Sequence, residues 1–106
     1  MNHGFFGVPG GTFTTFDVQG AGTGSGQGTI PEGNNTSGRI TGNYIDGSNV
    51  NHGFVGIPGA FTTFDVSGAG TGSGQGTIPF VNDPSNGITG YYVDSSNVSC
   101  GFLRTH

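Results

Sequence analysis

The sequence predicts an all-β protein made of two tandem repeats. Three observations support this prediction: a long stretch of chain returns almost unchanged, Gly and Pro interrupt every window long enough to test for a helical period, and short runs rich in Phe, Thr, Val, Ile and Tyr lie between turn residues. Four short antiparallel strands per repeat are typical of a β-propeller blade. We therefore expect two blade-like units and one extra strand, completed by oligomerisation.

The repeat is visible in three pairs of segments: 13–31 with 61–79, 40–54 with 88–102, and the His-Gly-Phe motif at 3–5 with 52–54. The first pair differs only at Gln19 and Ser67. The spacing is 48 residues for the first two pairs and 49 for the third, because the first copy has one more residue in the turn at 9–12. Turns tolerate such insertions.

Turn signals divide each unit into four strands. In the second unit the predicted strands are 61–66, 77–82, 88–94 and 98–104. The predicted organisation is a single repeat domain over residues 1–106, with an N-terminal extra strand at 3–8, unit 1 at about 13–57 and unit 2 at about 61–104. The extra strand is a further copy of the fourth strand of a unit.

Two units cannot close a ring, and a repeat array generally needs about three or more units for stability. Copies of the chain are therefore the expected partner, joined head to tail into a ring of three chains or an open filament. The extra strand could complete a neighbour's sheet edge. The predicted assembly residues lie in the two outermost strands: His3, Phe5, Phe6, Val8, Val98, Cys100, Phe102 and Leu103.

The composition argues against several classes of partner. Only 8% of residues are charged, against about 25% in ordinary proteins, no Lys is present, and the net charge is −4. Nucleic acids and anionic membranes require clustered cations, so neither is an expected partner. No apolar stretch is long enough for a membrane helix, and residues 1–4 do not resemble a signal peptide. Cys100 is the only Cys, so a disulfide could form only between chains.

Four carboxylates recur at equivalent places in the repeats. Asp17 and Asp65 lie in strands, and Asp46 and Asp94 precede tight turns. Carboxylate pairs can serve acid–base catalysis, but Asp beside a turn usually binds its own backbone. Catalysis rarely needs the same residue once per repeat. We therefore predict no catalytic residues and no enzymatic activity.

The histidines and the turns contain the candidate metal ligands. His3, His52 and Cys100 occupy equivalent positions, but zinc needs three or four ligands in one place. Each His is instead predicted to pack beside a Phe and to bond a loop carbonyl. The turns at 46–49 and 83–87 offer oxygen ligands suited to calcium, although neither has the spacing of a known calcium loop. No cofactor is predicted, and calcium is the alternative left open.

The Gly-rich loops at 20–28 and 68–76 superficially resemble phosphate-binding loops. The sequence has neither the Gly-Lys-Ser/Thr of a P-loop nor a following helix. Two interpretations stay open: loops that make backbone contacts between subunits, or flexible connections.

The alternative function is carbohydrate binding, as a propeller-type lectin with one site per repeat. Aromatic rings with polar neighbours can stack on sugars and hydrogen-bond to them. The residues that would do so are Tyr44, Tyr91, Tyr92, Asp46 and Asp94. Aromatic residues also pack in strands without any ligand, so this pattern alone is not specific.

A longer pattern resembles a known family. The motif G-x-Y-x-D-x-x-x-V-x-H-G-F is carried by Gly42, Tyr44, Asp46, Val50, His52, Gly53 and Phe54. With FTTFDV at 61–66 and the G-A-G-T, G-Q-G-T-I-P and I-T-G-Y-Y segments, it is similar to the HAF family of probable extracellular repeats over nearly the whole chain. The resemblance implies a bacterial, secreted or surface protein with propeller-like repeats and no established activity. This chain departs from the pattern in having two units, Cys100 in place of a His, and no export signal.

Together these observations predict a non-enzymatic structural repeat protein. It would self-associate head to tail by β-strand complementation into a ring or an extracellular filament.

Overall fold

The computed structural model describes residues 1–7, 11, 13–34, 38–82 and 87–104. The all-β prediction is confirmed, because these residues form only strands, turns and loops. The strands are β1 (Gly4–Phe6), β2 (Thr14–Phe16), β3 (Gly28–Asn34), β4 (Ile40–Ile45), β5 (Asn51–Ile57), β6 (Ala60–Phe64), β7 (Gly76–Asn82), β8 (Ile88–Val93) and β9 (Ser99–Arg104). In this part of the chain no helix occurs that could cross a membrane.

Two open sheets contain all nine strands. β1 and β2 form a two-stranded sheet, and the other seven form a sheet in the order β3-β4-β5-β7-β8-β9, with β6 also paired to β5. Unit 1 comprises β2 to β5 and unit 2 comprises β6 to β9. Val8, part of the turn at 9–12 and residues 83–86 of the calcium candidate lie outside the described residues. Propeller blades completed by oligomerisation stay a prediction.

Each unit is built on the same tight hairpin. Oδ1 of Asp46 accepts hydrogen bonds from the backbone N–H groups of Ser48 (2.8 Å) and Val50 (3.1 Å), between β4 and β5. Asn49 closes this turn with a φ of 65°, a conformation that Asn tolerates better than most residues. Asp94 makes the equivalent bonds in unit 2. The turn interpretation of Asp46 and Asp94 agrees with these bonds.

The two units meet along β5, which is paired at both edges. β4 lies along one edge, and β6 lies along the other with a parallel bridge from Asn51 to Gly76 of β7. The N–H of Asn51 donates to the carbonyl of Gln75 (2.8 Å), and the N–H of Gly74 donates to the carbonyl of Asn49 (2.7 Å). Gly76 has a φ of 117°, and a Cβ there would collide with the Asn51 carbonyl. This close approach requires glycine.

The core lies at this junction between units. Phe16 of β2, Phe54 of β5 and Phe61 of β6 form a ring cluster with centroid separations of 5.0 to 6.4 Å. Phe54 is fully buried, and Val18 and Ile40 complete the cluster. Three strands of unit 1, β2, β4 and β5, and one strand of unit 2, β6, therefore share one core.

The Gly-rich loops are ordered by a glutamine side chain. Oε1 of Gln75 accepts from the N–H of Gly72 (2.9 Å), and Nε2 donates to Oδ1 of Asn97 (3.0 Å). A Cβ at Gly70 would overlap the same amide, so the glycines make room for it. Because Gly74 also donates to Asn49 of unit 1, this loop makes backbone contacts between units.

Candidate functional site

Three copies of the fourth strand occur in the chain, and in the part that the structure describes only the middle copy, β5, is paired at both edges. β1 pairs with β2 in the way that β5 pairs with β6. Gly4 lies opposite Phe16, and Asn2 bridges to Gly28. β9 pairs with β8 in the way that β5 pairs with β4, through six residue pairs. Among the described residues, each terminal strand therefore has the partners that the other one lacks.

The aromatic core is divided between the two ends in the same way. Phe5 and Phe13, the counterparts of Phe54 and Phe61, meet edge to face at 5.5 Å at the N-terminal end. They are 62% and 58% exposed. At the C-terminal end, Phe64 and Phe102 repeat the contact of Phe16 and Phe54, also at 6.4 Å. Neither end has the complete set of three rings.

A groove marks each incomplete end. The N-terminal groove, of about 260 Å³, is lined by Phe5, Phe6, Gly7, Phe13, Pro31 and their neighbours on β3 and β4. The C-terminal groove, of about 270 Å³, is lined by Phe64, Asp65, Val66, Phe102, Leu103 and Arg104. At the junction inside the chain, β4 packs against β7, and the Phe61 ring packs against Phe16 and Phe54. The grooves are the places that the adjoining unit fills inside the chain.

A histidine lies between two carboxylates at the same junction. Nδ1 of His52 lies 2.8 Å from Asp65 on the unit 2 side, and Nε2 lies 2.8 Å from Asp46 in the β4–β5 turn. The ring also stacks on Tyr44 with centroids 4.9 Å apart. An imidazole can donate from both nitrogens only when it is protonated. We call this arrangement of His52, Asp46 and Asp65 the histidine clamp.

The pKa values of the clamp follow from these contacts. Burial lowers the pKa of His52, but the hydrogen bonds to Asp46 and Asp65 and their negative charges raise it by more, so it lies above the ordinary value. Burial raises the pKa of Asp46. The bonds from His52 and from the N–H groups of Val50 and Ser48 lower it by more, so it lies below the ordinary value. Both shifts favour the ion pair.

Beside β1 and β9 the described residues form only part of the clamp. His3 keeps the bond to Asp17, at 2.8 Å, and no described turn of the Asp46 type lies beside its strand. On β9, Cys100 stands where the His would be, beside the Asp94 turn. Inside the chain, one His joins carboxylates from two successive units.

The prediction that each His bonds a loop carbonyl is wrong, because His3 and His52 bind carboxylates. Asp17 and Asp65 lie beyond the ends of β2 and β6, and the hairpins that precede them bring them opposite the histidines. The sequence does contain a signal for this contact, because twice in the chain a His is followed by an Asp at the far side of the next hairpin. The two positions considered singly do not reveal it.

Carboxylates occupy both nitrogens of His52, the two positions through which an imidazole takes up or releases a proton. In the described parts of the chain no three His, Cys, Asp or Glu residues are grouped to hold a metal ion.

The predicted sugar-binding residues are distributed over both units. The Tyr44 ring stacks on His52, and Tyr91 packs against Phe80 with centroids 5.4 Å apart. Tyr92, on β8, lies opposite Cys100. Asp46 and Asp94 direct an oxygen into their own turns. The lectin alternative stays a prediction.

The predicted assembly strands contain much of the exposed apolar surface. Leu103 is 66% and Val98 is 52% exposed, while their counterparts in β5 and its turn, Val55 and Val50, are buried. Phe6 is 39% exposed, and Phe102 is half-buried.

The outer face of unit 2 also differs from that of unit 1 at particular positions. Arg104 stands where β5 has Gly56, and Val81 stands where β3 has Gly33. A Cβ at Gly56 would lie 2.6 Å from the Ala60 carbonyl oxygen. Unit 2 therefore has side chains at two positions where unit 1 leaves space for the backbone of the following unit.

Comparison of the chain with protein-family models, with curated proteins and with solved structures gives no match. The likeness to HAF repeats rests on the motifs described above.

Proposed function

We propose that this protein is a non-enzymatic structural module that binds copies of itself head to tail through its terminal β-strands. One observation carries the proposal: the junction between units 1 and 2 recurs as two complementary halves, one at each end of the chain. In the described residues no strand lies beside β1 in the place of β4, and none lies beside β9 in the place of β6. Where the ends of two copies meet, one of these two strands would be paired at both edges, as β5 is.

The grooves support the same pairing. At the internal junction Phe61 contacts Phe16 and Phe54. Its counterpart Phe13 is exposed at one end of the chain, and the groove beside Phe64 is open at the other. Phe13 of one copy would therefore enter the C-terminal groove of another and complete a ring cluster of the internal kind.

The energetics require strand pairing as well as apolar contact. Full burial of one large apolar side chain stabilises by about 1.5–3 kcal/mol. Association costs an estimated ~4–15 kcal/mol in lost freedom. Phe5, Phe13 and Leu103 are already partly covered, so their burial offsets only part of this cost. The backbone hydrogen bonds of a completed sheet edge would supply the remaining attraction and fix the register.

Low charge favours such pairing, because the chain has few charges to keep sheet edges apart. A rotation between copies that closes would give a ring of blade-like units, and one that does not close would give a filament. By likeness to HAF repeats, the assembly would be extracellular or on a cell surface. The occupied nitrogens of His52 and the self-bonded turns of Asp46 and Asp94 argue for a non-enzymatic role.

Light scattering and electron microscopy over a dilution series test the proposal. The intact chain should associate as its concentration rises, and Phe13→Ala should weaken association while the chain stays folded. Ile57→Ala is the matched control, because Ile57 is similarly exposed but lies at the internal β5–β6 hairpin. A monomer at every concentration, or equal loss in both variants, would overturn the proposal.

A further inference from the structure

When two chains meet head to tail, two copies of a unit's fourth strand come together. The junction inside the chain holds only one such strand. At the internal junction β5 alone pairs with β4 on one edge and with β6 and β7 on the other. At a joint between copies, β9 of the first copy and β1 of the second would compete for the corresponding place. Three features of the molecule decide which strand takes it.

The first feature is the residue that faces the arriving strand. Gly56 of β5 lies opposite Phe61 of β6, and a Cβ at Gly56 would lie 2.6 Å from the carbonyl oxygen of Ala60. β9 carries Arg104 at this position, whereas β1 is followed by Gly7. A Cβ at Gly56 would also lie 3.2 Å from Cα of Phe61, the counterpart of Phe13. A retained β9 would therefore bring the Arg104 side chain against the backbone at Phe13 of the second copy, whereas Gly7 has no side chain there.

The second feature is the surface that β9 covers. The Arg104 guanidinium lies over the Phe64 ring, 4.8 Å from its centroid. Inside the chain, Phe61 packs against the corresponding ring of Phe16 at 5.2 Å. Arg104 therefore competes with the incoming Phe13 for Phe64. Removing β9 from the sheet frees this ring.

The third feature is the histidine clamp. Residues 2–5, which lead into β1, repeat the Asn-His-Gly-Phe motif of β5. β9 retains only the Gly and the Phe of this motif. His3 already binds Asp17 at 2.8 Å, and no second carboxylate contacts it among the residues that the structure describes. In the register of β4 with β5, where Tyr44 lies opposite His52, β1 beside β8 would place His3 opposite Tyr92. Asp94 would then occupy the position of Asp46.

We propose that β1 of a second copy replaces β9 beside β8 of the first, so that His3 lies between its own Asp17 and Asp94 of the other copy. This inference rests on the proposed self-association and specifies its joint. The exchange retains a full set of strand pairs on β8, because β1 and the residues flanking it take over the partners of β9. It adds the completed clamp and the Phe5, Phe13 and Phe64 cluster. The displaced β9 leaves the sheet as a free tail.

The only thiol of the chain reports this exchange directly. Cys100 is half-buried on β9 beside Tyr92 in the single chain. If β1 replaces β9, the labelling rate of Cys100 by a maleimide should rise severalfold as the chain associates, because the tail is released. If β9 stays and β1 is displaced, Cys100 would become covered and the rate would fall.

Two deletions give a second, matched test. A chain lacking residues 2–7 should no longer associate, and a chain ending at Val98 should associate at lower concentration than the intact chain, because the competing strand is gone. Circular dichroism would establish whether each truncated chain keeps its β-structure. If one of them does not fold, Cys100 labelling of the intact chain is the deciding test.

The outcomes separate this inference from the proposed function. No association of the intact chain would overturn both. Association with unchanged or slower Cys100 labelling would leave head-to-tail assembly in place and overturn the replacement of β9 by β1. Association that requires residues 99–104 would overturn it as well, since β9 would then belong to the joint.

Discussion

β5 and β9 are copies of one strand in different surroundings. Phe54 is fully buried and Val55 is 3% exposed, whereas Phe102 is half-buried and Leu103 is 66% exposed. Both strands pair with a preceding strand in the same register. The difference is that a unit follows β5 and none follows β9 within the described chain. Burial in this protein is therefore set by the following unit more than by the strand's own sequence.

The largest expected effect is on the buried ring itself. Phe54→Ala should destabilise the fold by about 3–5 kcal/mol, because it empties the centre of the junction cluster. Phe102→Ala should cost at most about half as much, since its ring still contacts solvent. Urea unfolding of dilute protein measures both. Equal losses would show that the terminal unit is as well packed as the internal junction.

The next effect concerns the histidine clamp. Asp46→Asn keeps an oxygen for the turn but removes the charge that faces His52, and should cost about 1.5–3 kcal/mol. Asp94→Asn is the matched control and should be nearly neutral, because Cys100 offers no imidazole. Thermal or urea unfolding of dilute protein near pH 6 would compare the two, because dilution keeps the joint that would use Asp94 unformed. A similar loss in both variants would assign the effect to the turn.

The clamp also predicts a pH profile for folding. The raised pKa of His52 contributes stability that is fully present below the ordinary His pKa of about 6.5 and is lost as pH rises through the folded-state value. The lowered pKa of Asp46 contributes stability that is present above the ordinary Asp pKa of about 3.9 and is lost as pH falls through the folded-state value. Stability should therefore be greatest between these limits.

Unfolding free energies of dilute protein from pH 3 to pH 9 would measure this profile. His52→Cys, which places the β9 residue in β5, should remove the decline on the alkaline side of the maximum. An unchanged alkaline decline in this variant would mean that another group causes it.

Much of the fold could be predicted from the sequence because the repeat places equivalent strands twice. The strand positions and the turns at Asp46 and Asp94 follow from period and turn chemistry. The histidine clamp could not be predicted from single positions, since Asp65 reaches His52 only through the β5–β6 register. The parallel bridge from Asn51 to Gly76 depends on the path of a whole Gly-rich loop, which local propensity does not specify.

The smallest expected change in stability concerns the outer edge of each unit. Gly33 of unit 1 allows the backbone of Phe80 to approach, and a Cβ there would lie 2.9 Å from its carbonyl oxygen. Unit 2 carries Val81 at this position, 54% exposed. Val81→Gly should cost the fold about 0.5–1 kcal/mol, because Gly is unfavourable within a strand.

The same substitution should nevertheless tighten association by a fewfold, since a second copy could approach as closely as unit 2 approaches unit 1. Light scattering beside urea unfolding would detect these opposite signs, with Val81→Ala as the control that keeps a Cβ. Weaker association in Val81→Gly would instead mean that the exposed Val side chain contributes contacts to the joint. The outer face of unit 2 would then be adapted to its partner, and the internal junction would be an incomplete template for the joint between copies.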